Sequence, residues 1–168
     1  MSNVKLELLV PFLIYEFVTS RHPTTKNYSD RKMWQKVGYL AQQLGLPLGD
    51  YKFGWYKAGP YSTAYTSLLY DIKNNYFHIE EELNNNTLAL NYNTQYKLSS
   101  IKRLVSQKPF ELDLSDWLEL LASILYLKKN NSLDQEATLK KLIRLKPHFN
   151  DKVNNSYAWD LLERENLL

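Results

Sequence analysis

The sequence predicts a mainly α-helical (α+β) fold, in which a winged-helix-like N-terminal half with a small β-hairpin carries a C-terminal helical bundle. Apolar side chains recur at intervals of three and four residues over most of the chain, as they do on the buried face of a helix. One short aromatic run, Tyr51–Tyr56, has strand character and ends before Gly59-Pro60. Hydrophobic residues make up 44% of the 168 positions and charged residues 23%, which favours one packed core over a disordered chain. We therefore predict a single domain, 1–168, with a winged-helix-like part at 1–92 and a helical part at 93–168.

Three helices are predicted in the first half. Apolar residues from Leu6 to Phe17 share one face, within which Pro11 predicts a kink or a position in the first turn. A polar loop covers 21–29, and the second helix begins at Ser29 or Asp30, either of which is a suitable N-cap. This helix ends before Gly45. The third helix covers 61–74, after the break that Gly59-Pro60 predicts.

The segment that follows predicts the wing. Residues 76–80 and 87–92 have strand character, and they flank a polar tip that is rich in Glu and Asn. Two strands around a polar tip indicate a β-hairpin. The order helix, helix, strand, helix, hairpin is that of a winged-helix unit.

Four further helices are predicted in the second half, at 96–106, 117–127, 135–145 and 151–165. The helix that contains Trp117 has the widest apolar face, so we expect it to be central. Ser132 and Gln135 have the spacing of a capping box, which predicts the start of the next helix. Lys146-Pro147 predicts where that helix ends.

Five short blocks resemble the YwgA-like bacterial proteins, and the first three are more distantly similar to Panacea-type antitoxin domains. The blocks are Arg31–Leu40, Tyr51–Phe53, Gly59–Ser62, Trp117–Leu120 and Leu145–Phe149. The resemblance implies a winged-helix-like fold and no known catalysis, and members of the family are often described as regulators. The chain differs from the family pattern at Trp34, where a smaller aliphatic residue is usual, and in a longer loop over 23–29.

Composition excludes several classes of site. Without cysteine the chain has no disulfide, thiolate metal site or cysteine nucleophile. The three histidines, at 22, 78 and 148, are too far apart in sequence to suggest a metal site, and no glycine-rich phosphate loop or catalytic triad motif is present. The apolar N-terminal run is too short to cross a bilayer and has no signal-peptide cleavage site. We therefore expect a cytoplasmic, non-enzymatic protein without metal, cofactor or membrane.

The leading hypothesis is a DNA-associated regulator. The net charge of +3 permits a nucleic-acid partner without requiring one. Two basic clusters could follow the phosphates of double-stranded DNA, with two small hydroxyl residues at the groove. The residues are Arg31, Lys32, Lys36, Lys102 and Arg103 for the phosphates, and Ser62 and Thr63 at the groove. The alternative for each basic cluster is an ordinary solvated helix face, and the acids of the predicted wing argue against DNA.

The second hypothesis is an antitoxin-like protein–protein interaction module of a bacterial or phage system. Its contacts would be Tyr56, Tyr61 and Tyr65, since tyrosine combines an apolar ring with a polar tip. Alternation along a strand places Tyr56 opposite Tyr51, Phe53 and Trp55, so Tyr56 is the better candidate for exposure. The alternative for the aromatic set is a buried core.

Overall fold

A computed structural model describes residues 4–168 and confirms the mainly helical class with a small β-hairpin. In chain order the elements are α1 (Leu6–Thr19), α2 (Tyr28–Gln43), β1 (Gly54–Tyr56), β2 (Gly59–Tyr61), α3 (Thr63–Asn74), α4 (Tyr76–Asn86), α5 (Tyr92–Ser106), α6 (Leu114–Asn131), α7 (Gln135–Leu145) and α8 (Lys152–Arg164). None of the helices over these residues combines the length and the apolar character that crossing a membrane requires.

Helix α6 lies at the centre of the core, as the sequence predicts. It packs against α2, α7, α8 and β2, and the indole N–H of its buried Trp117 donates to the Leu104 carbonyl at 2.8 Å. The buried Trp34 of α2 donates in the same way to the Tyr65 carbonyl at 2.9 Å. Both large side chains therefore bury their rings without leaving a polar atom unpaired. Helices α2 and α6 together form the floor on which β2 lies.

The wing predicted over 76–92 is wrong. Residues Tyr76–Asn86 form α4 instead, and Leu88–Asn91 have no regular secondary structure. The run of glutamates followed by Leu83 consists of good helix formers, and the Tyr76 hydroxyl donates to Glu80 one turn later at 2.9 Å. Ile79 is fully buried and joins the helix to the core. Because Ile79 is the one fully buried residue in the 11 residues of α4, the sequence has no clear helical spacing of apolar residues.

The β-hairpin lies earlier in the chain. Strands β1 and β2 are antiparallel, with Tyr56 opposite Gly59, so Lys57 and Ala58 form a two-residue turn. Gly59 has φ +88°, a backbone conformation that favours glycine, and it begins β2 instead of ending a strand. Pro60 is tolerated in this two-stranded sheet because both strands are edge strands. The two residues that are expected to interrupt the strand therefore begin the second strand.

Two helix starts also differ from the prediction. Helix α2 is capped by Asn27, whose side chain accepts from the Asp30 N–H, and not by Ser29 or Asp30 themselves. Helix α7 is capped by Asp134, while Ser132 has φ 51° and ends α6. An N-cap needs an extended backbone, which Asn27 and Asp134 have and Ser132 lacks. Helix α1 continues through Pro11.

Candidate functional site: a β-hairpin over a buried charged cluster

Four buried ionisable side chains lie beneath the hairpin, and we call Lys32, Lys36, Glu119 and Lys146 the charged cluster. The Glu119 carboxylate accepts from Lys32 Nζ and from Lys146 Nζ, both at 2.9 Å. Burial would raise the pKa of Glu119, but the hydrogen bonds from Lys146 and Lys32 outweigh it and hold the pKa below its usual value. Lys32 Nζ also donates to Asp116, at 2.8 Å, towards the surface. The Glu119 carboxylate of α6 therefore links α6 to α2 through Lys32 and to the segment after α7 through Lys146.

Two ammonium groups of the cluster hold the hairpin through its backbone. Lys36 Nζ donates to the Pro60 carbonyl, and Lys146 Nζ donates to the Lys57 carbonyl, both at 2.6 Å. Lys36 is 1% exposed, and this burial lowers its pKa to about 7, against the partial compensation of Glu119. These are charge-assisted hydrogen bonds, stronger than neutral ones when the lysines are protonated. The turn and the second strand are thereby fixed from the inside.

Gln35 extends this attachment to the start of α3. Its side-chain amide accepts from the Ser62 N–H at 2.9 Å and donates to the Ser62 carbonyl at 3.0 Å. The same amide nitrogen donates to Thr66 at 2.7 Å. Adjacent residues of α2, Gln35 and Lys36, thus bind the backbone at the end of the hairpin. These hydrogen bonds hold the end of the hairpin to α2.

The outer side of the hairpin carries an aromatic pair. Tyr56 is 53% exposed, as the alternation along the strand predicts, and its ring contacts Tyr61 edge-on with centroids 5.1 Å apart. Tyr61 is half-buried, and its hydroxyl accepts from Thr66 at 2.9 Å. Trp55 is half-buried, and Lys146 Nζ lies 5.1 Å from its ring centroid. On the hairpin, Tyr56 and the turn residue Lys57 are exposed, and the Tyr56 ring is held by residues that are themselves fixed.

Tyr65 does not belong to this surface, which corrects its assignment as a contact residue. It is 1% exposed, and its ring stacks on Trp34 with centroids 4.6 Å apart. The cause is Gly38 of α2: a Cβ there would lie 2.2 Å from the Tyr65 ring. The glycine lets the ring lie directly against the helix backbone, so Tyr65 is part of the core.

Three of the residues assigned to DNA point inward, which also corrects the sequence prediction. Lys32 and Lys36 belong to the charged cluster and are 9% and 1% exposed, so neither is placed to contact a phosphate at the surface. Ser62 is 2% exposed, and its hydroxyl caps α3 by accepting from the Tyr65 N–H. A basic residue on an amphipathic helix usually faces solvent, whereas these two lysines find acceptors inside the fold.

The other residues assigned to DNA lie nearer the surface, but most are engaged. Arg31 is half-buried and donates to the Thr25 carbonyl at 2.9 Å, whereas Thr63 is exposed. Lys102 Nζ lies 4.5 Å from the centroid of the Phe17 ring. Arg103 is paired with Glu165 through two hydrogen bonds, at 2.6 and 2.8 Å. The structure does not bring the two basic clusters together into one free cationic face.

Sequence reasoning missed the acceptor of the cluster and one of its donors. Glu119 is a single acid inside the apolar run of α6, between Leu118 and Leu120. An acid in such a position indicates a buried partner, because an isolated buried carboxylate is costly. Lys146 gave a weaker signal, since a lysine before proline at the end of a helix is ordinary. The local sequence around Glu119 or Lys146 does not indicate which distant residue each one pairs with.

Comparison of the chain with family models, with curated proteins and with solved structures finds no match. The resemblance to YwgA-like proteins therefore stays a prediction. Within residues 4–168, no group of three or more histidine, aspartate and glutamate side chains is arranged to hold a metal ion.

Proposed function

We propose that this protein is a non-enzymatic protein–protein interaction module, antitoxin-like in the sense of the resemblance above, that binds a protein partner through the outer side of its hairpin. The observation that supports this most directly is the exposed Tyr56, in edge contact with Tyr61 on a hairpin fixed from beneath by Lys36 and Lys146. Tyrosine is among the residues that contribute most to protein interfaces. A surface that is already ordered loses little conformational entropy when it binds. The proposal assumes the cytoplasm as the compartment.

The DNA-associated regulator is less well supported. Lys32 and Lys36 are used inside the fold, and the Arg103 guanidinium is bonded to Glu165. Backbone recognition of DNA depends on several free cations that lie along one face, which the assigned residues do not provide. A protein partner needs no such face. The tyrosine surface therefore carries the proposal.

The proposal is tested by affinity capture with the wild-type chain and with Tyr56→Ala. We expect a partner that the wild type retains and that Tyr56→Ala loses, without a change in thermal stability. Tyr70→Ala is the matched control, since Tyr70 is also exposed, at 41%, but lies on α3. Equal retention by all three chains would refute the role of the hairpin.

A titration of labelled duplex DNA separates the two functions. Binding at low salt that fades as salt rises, and that Tyr56→Ala leaves unchanged, would return the DNA hypothesis to first place. We expect no such binding.

A further inference from the structure

A groove lies between α7 and α8, far in sequence from the hairpin. It has a volume of about 580 Å³. From α7 it is lined by Glu136, Leu139, Lys140 and Ile143, which recur at intervals of three and four residues and so share one face. Its other wall includes Lys152 and Asn155, one turn apart on α8. Side chains from both helices therefore line an open groove, which we call the α7–α8 groove.

The floor of the groove is apolar. Leu139 and Ile143 lie one turn apart and are only half-buried, whereas Leu142, next to them on the helix surface, is fully buried in the core. The core therefore covers only part of the apolar face of α7, and the edge of that face at Leu139 and Ile143 is left partly open to solvent. A partner that covered Leu139 and Ile143 would gain the hydrophobic free energy of the area it removes from water.

The rims of the groove are cationic. Lys140 on α7 and Lys152 on α8 are both exposed, and among the described residues neither is ion-paired to a carboxylate. Glu136 is the acid in the lining. The nearby carboxylates of Asp134 and Asp151 are occupied as N-caps, accepting from backbone N–H groups of α7 and α8. The lining itself holds two ammonium groups and one carboxylate, a net charge of +1, with one ammonium on each side. Asp134 and Asp151 keep their negative charge, but each lies at a helix N-terminus, where the positive end of the helix dipole offsets part of it.

The geometry points to one kind of occupant: we propose that the α7–α8 groove binds an acidic amphipathic helix of a partner protein. Both walls are helices whose main-chain groups are bonded within the helix, so they offer no strand edge to an extended peptide. A helix, whose backbone groups are bonded within it, can lie there without an edge to pair with. Its apolar stripe covers Leu139 and Ile143, and its carboxylates face Lys140 and Lys152. This second surface goes beyond the hairpin and does not depend on it.

The probe is a fluorescein-labelled synthetic helical peptide of about four turns. It carries leucine at every third or fourth position and glutamate on the remaining positions, and its counterpart carries lysine in place of glutamate. Fluorescence anisotropy is measured against the full chain. We expect micromolar binding of the acidic peptide that weakens with salt, and at least tenfold weaker binding of the basic peptide. Amide NMR shifts should concentrate on α7 and α8.

Charge reversal makes the test specific. Lys140→Glu together with Lys152→Glu should weaken the acidic peptide at least tenfold and should now favour the basic peptide. Lys73→Glu, at an exposed position on α3, is the matched control and should change neither. Because all three lysines are exposed, we expect the variants to fold, which thermal unfolding checks.

Several outcomes would overturn the proposal. They are failure of the acidic peptide to bind, equal binding of both peptides, equal affinity in the charge-reversed variant, and displacement of the acidic peptide by single-stranded DNA at equal charge. Since Tyr56→Ala leaves the groove intact, failure here is distinct from failure of the proposed hairpin function. An unchanged affinity of Tyr56→Ala for the acidic peptide confirms that the two surfaces are separate.

Discussion

Replacing Lys36 with methionine should remove much of the pH dependence of stability around neutrality. The Lys36 ammonium is buried beneath Pro60, and burial lowers its pKa from the ordinary value of 10.5 to about 7. In the unfolded chain the side chain regains water and its ordinary pKa. Between pH 7 and 10.5 the unfolded state therefore holds more protons than the folded state. The free energy of unfolding must rise with pH across this window. Below about pH 7 both states hold the proton, and this pH dependence ends.

The size of the effect follows from the two pKa values. One pKa unit corresponds to about 1.36 kcal/mol, so the linkage relation gives a rise of about 2 kcal/mol between about pH 7 and pH 9. Lys129, whose pKa burial also lowers, adds a rise of the same sign that the variant keeps. Tyr39 and Tyr65 have raised pKa values through burial, so they act in the opposite direction only above about pH 10. The window below pH 9 therefore reports mainly on Lys36.

The assay is urea unfolding of wild type and Lys36→Met at a series of pH values between neutrality and pH 9. The variant leaves the Pro60 carbonyl without its donor, so its absolute stability at one pH mixes two effects. The slope of the free energy of unfolding against pH reports only the difference in proton binding between the two states. We expect a clear upward slope in the wild type and a much flatter one in Lys36→Met. A wild-type stability that is flat or falls over this range, or an equal slope in both chains, would refute the reasoning.

Further substitutions test the same region and one distant turn. Glu119→Gln leaves the buried Lys146 ammonium without its carboxylate and Lys32 with Asp116 alone, and it should lower the free energy of unfolding in urea by about 3–5 kcal/mol. Asp116→Asn should have a much smaller effect, because Asp116 is 45% exposed. Gly59→Ala should destabilise the fold, since its Cβ would lie 2.5 Å from Ser123 Oγ at φ +88°. Part of that loss should be recovered in a Ser123→Ala background, and equal losses in both backgrounds would exclude the contact as a cause. Phe110→Ser should leave the thermal unfolding midpoint unchanged, because the ring is 100% exposed.

Local patterns in the sequence predict the helices well and their partners poorly. Apolar spacing identifies α6 as the central helix, because Trp117 and the leucines around it leave no polar face of useful width. The same reasoning fails at 76–92. With Ile79 as the one buried residue of α4, the spacing of buried residues cannot distinguish a helix from a strand. It also fails at Gly59-Pro60, since a glycine and a proline interrupt a central strand but are tolerated on an edge.

The candidate site depends on pairs that local sequence cannot show. Alternation along the strand correctly exposes Tyr56, a property of nearest neighbours. Lys32 and Lys36 carry the pattern of a solvated helix face, and only the position of Glu119 in a distant helix reveals that they are buried. Likewise Tyr65 is buried because Gly38, 27 positions earlier, leaves room for its ring. Such contacts depend on tertiary packing, which overrides the local preference.

The charged cluster also sets an order of events during synthesis on the ribosome. Lys32 must wait for Glu119, 87 residues later, and the Lys57 carbonyl must wait for Lys146, 89 residues later. At a translation rate of about 5–20 residues per second, that delay is on the order of 4–17 s. Until then, Lys32 lacks both of the carboxylates that pair with it, Asp116 and Glu119, so its burial is unfavourable. We therefore expect the hairpin to reach its final position late in synthesis.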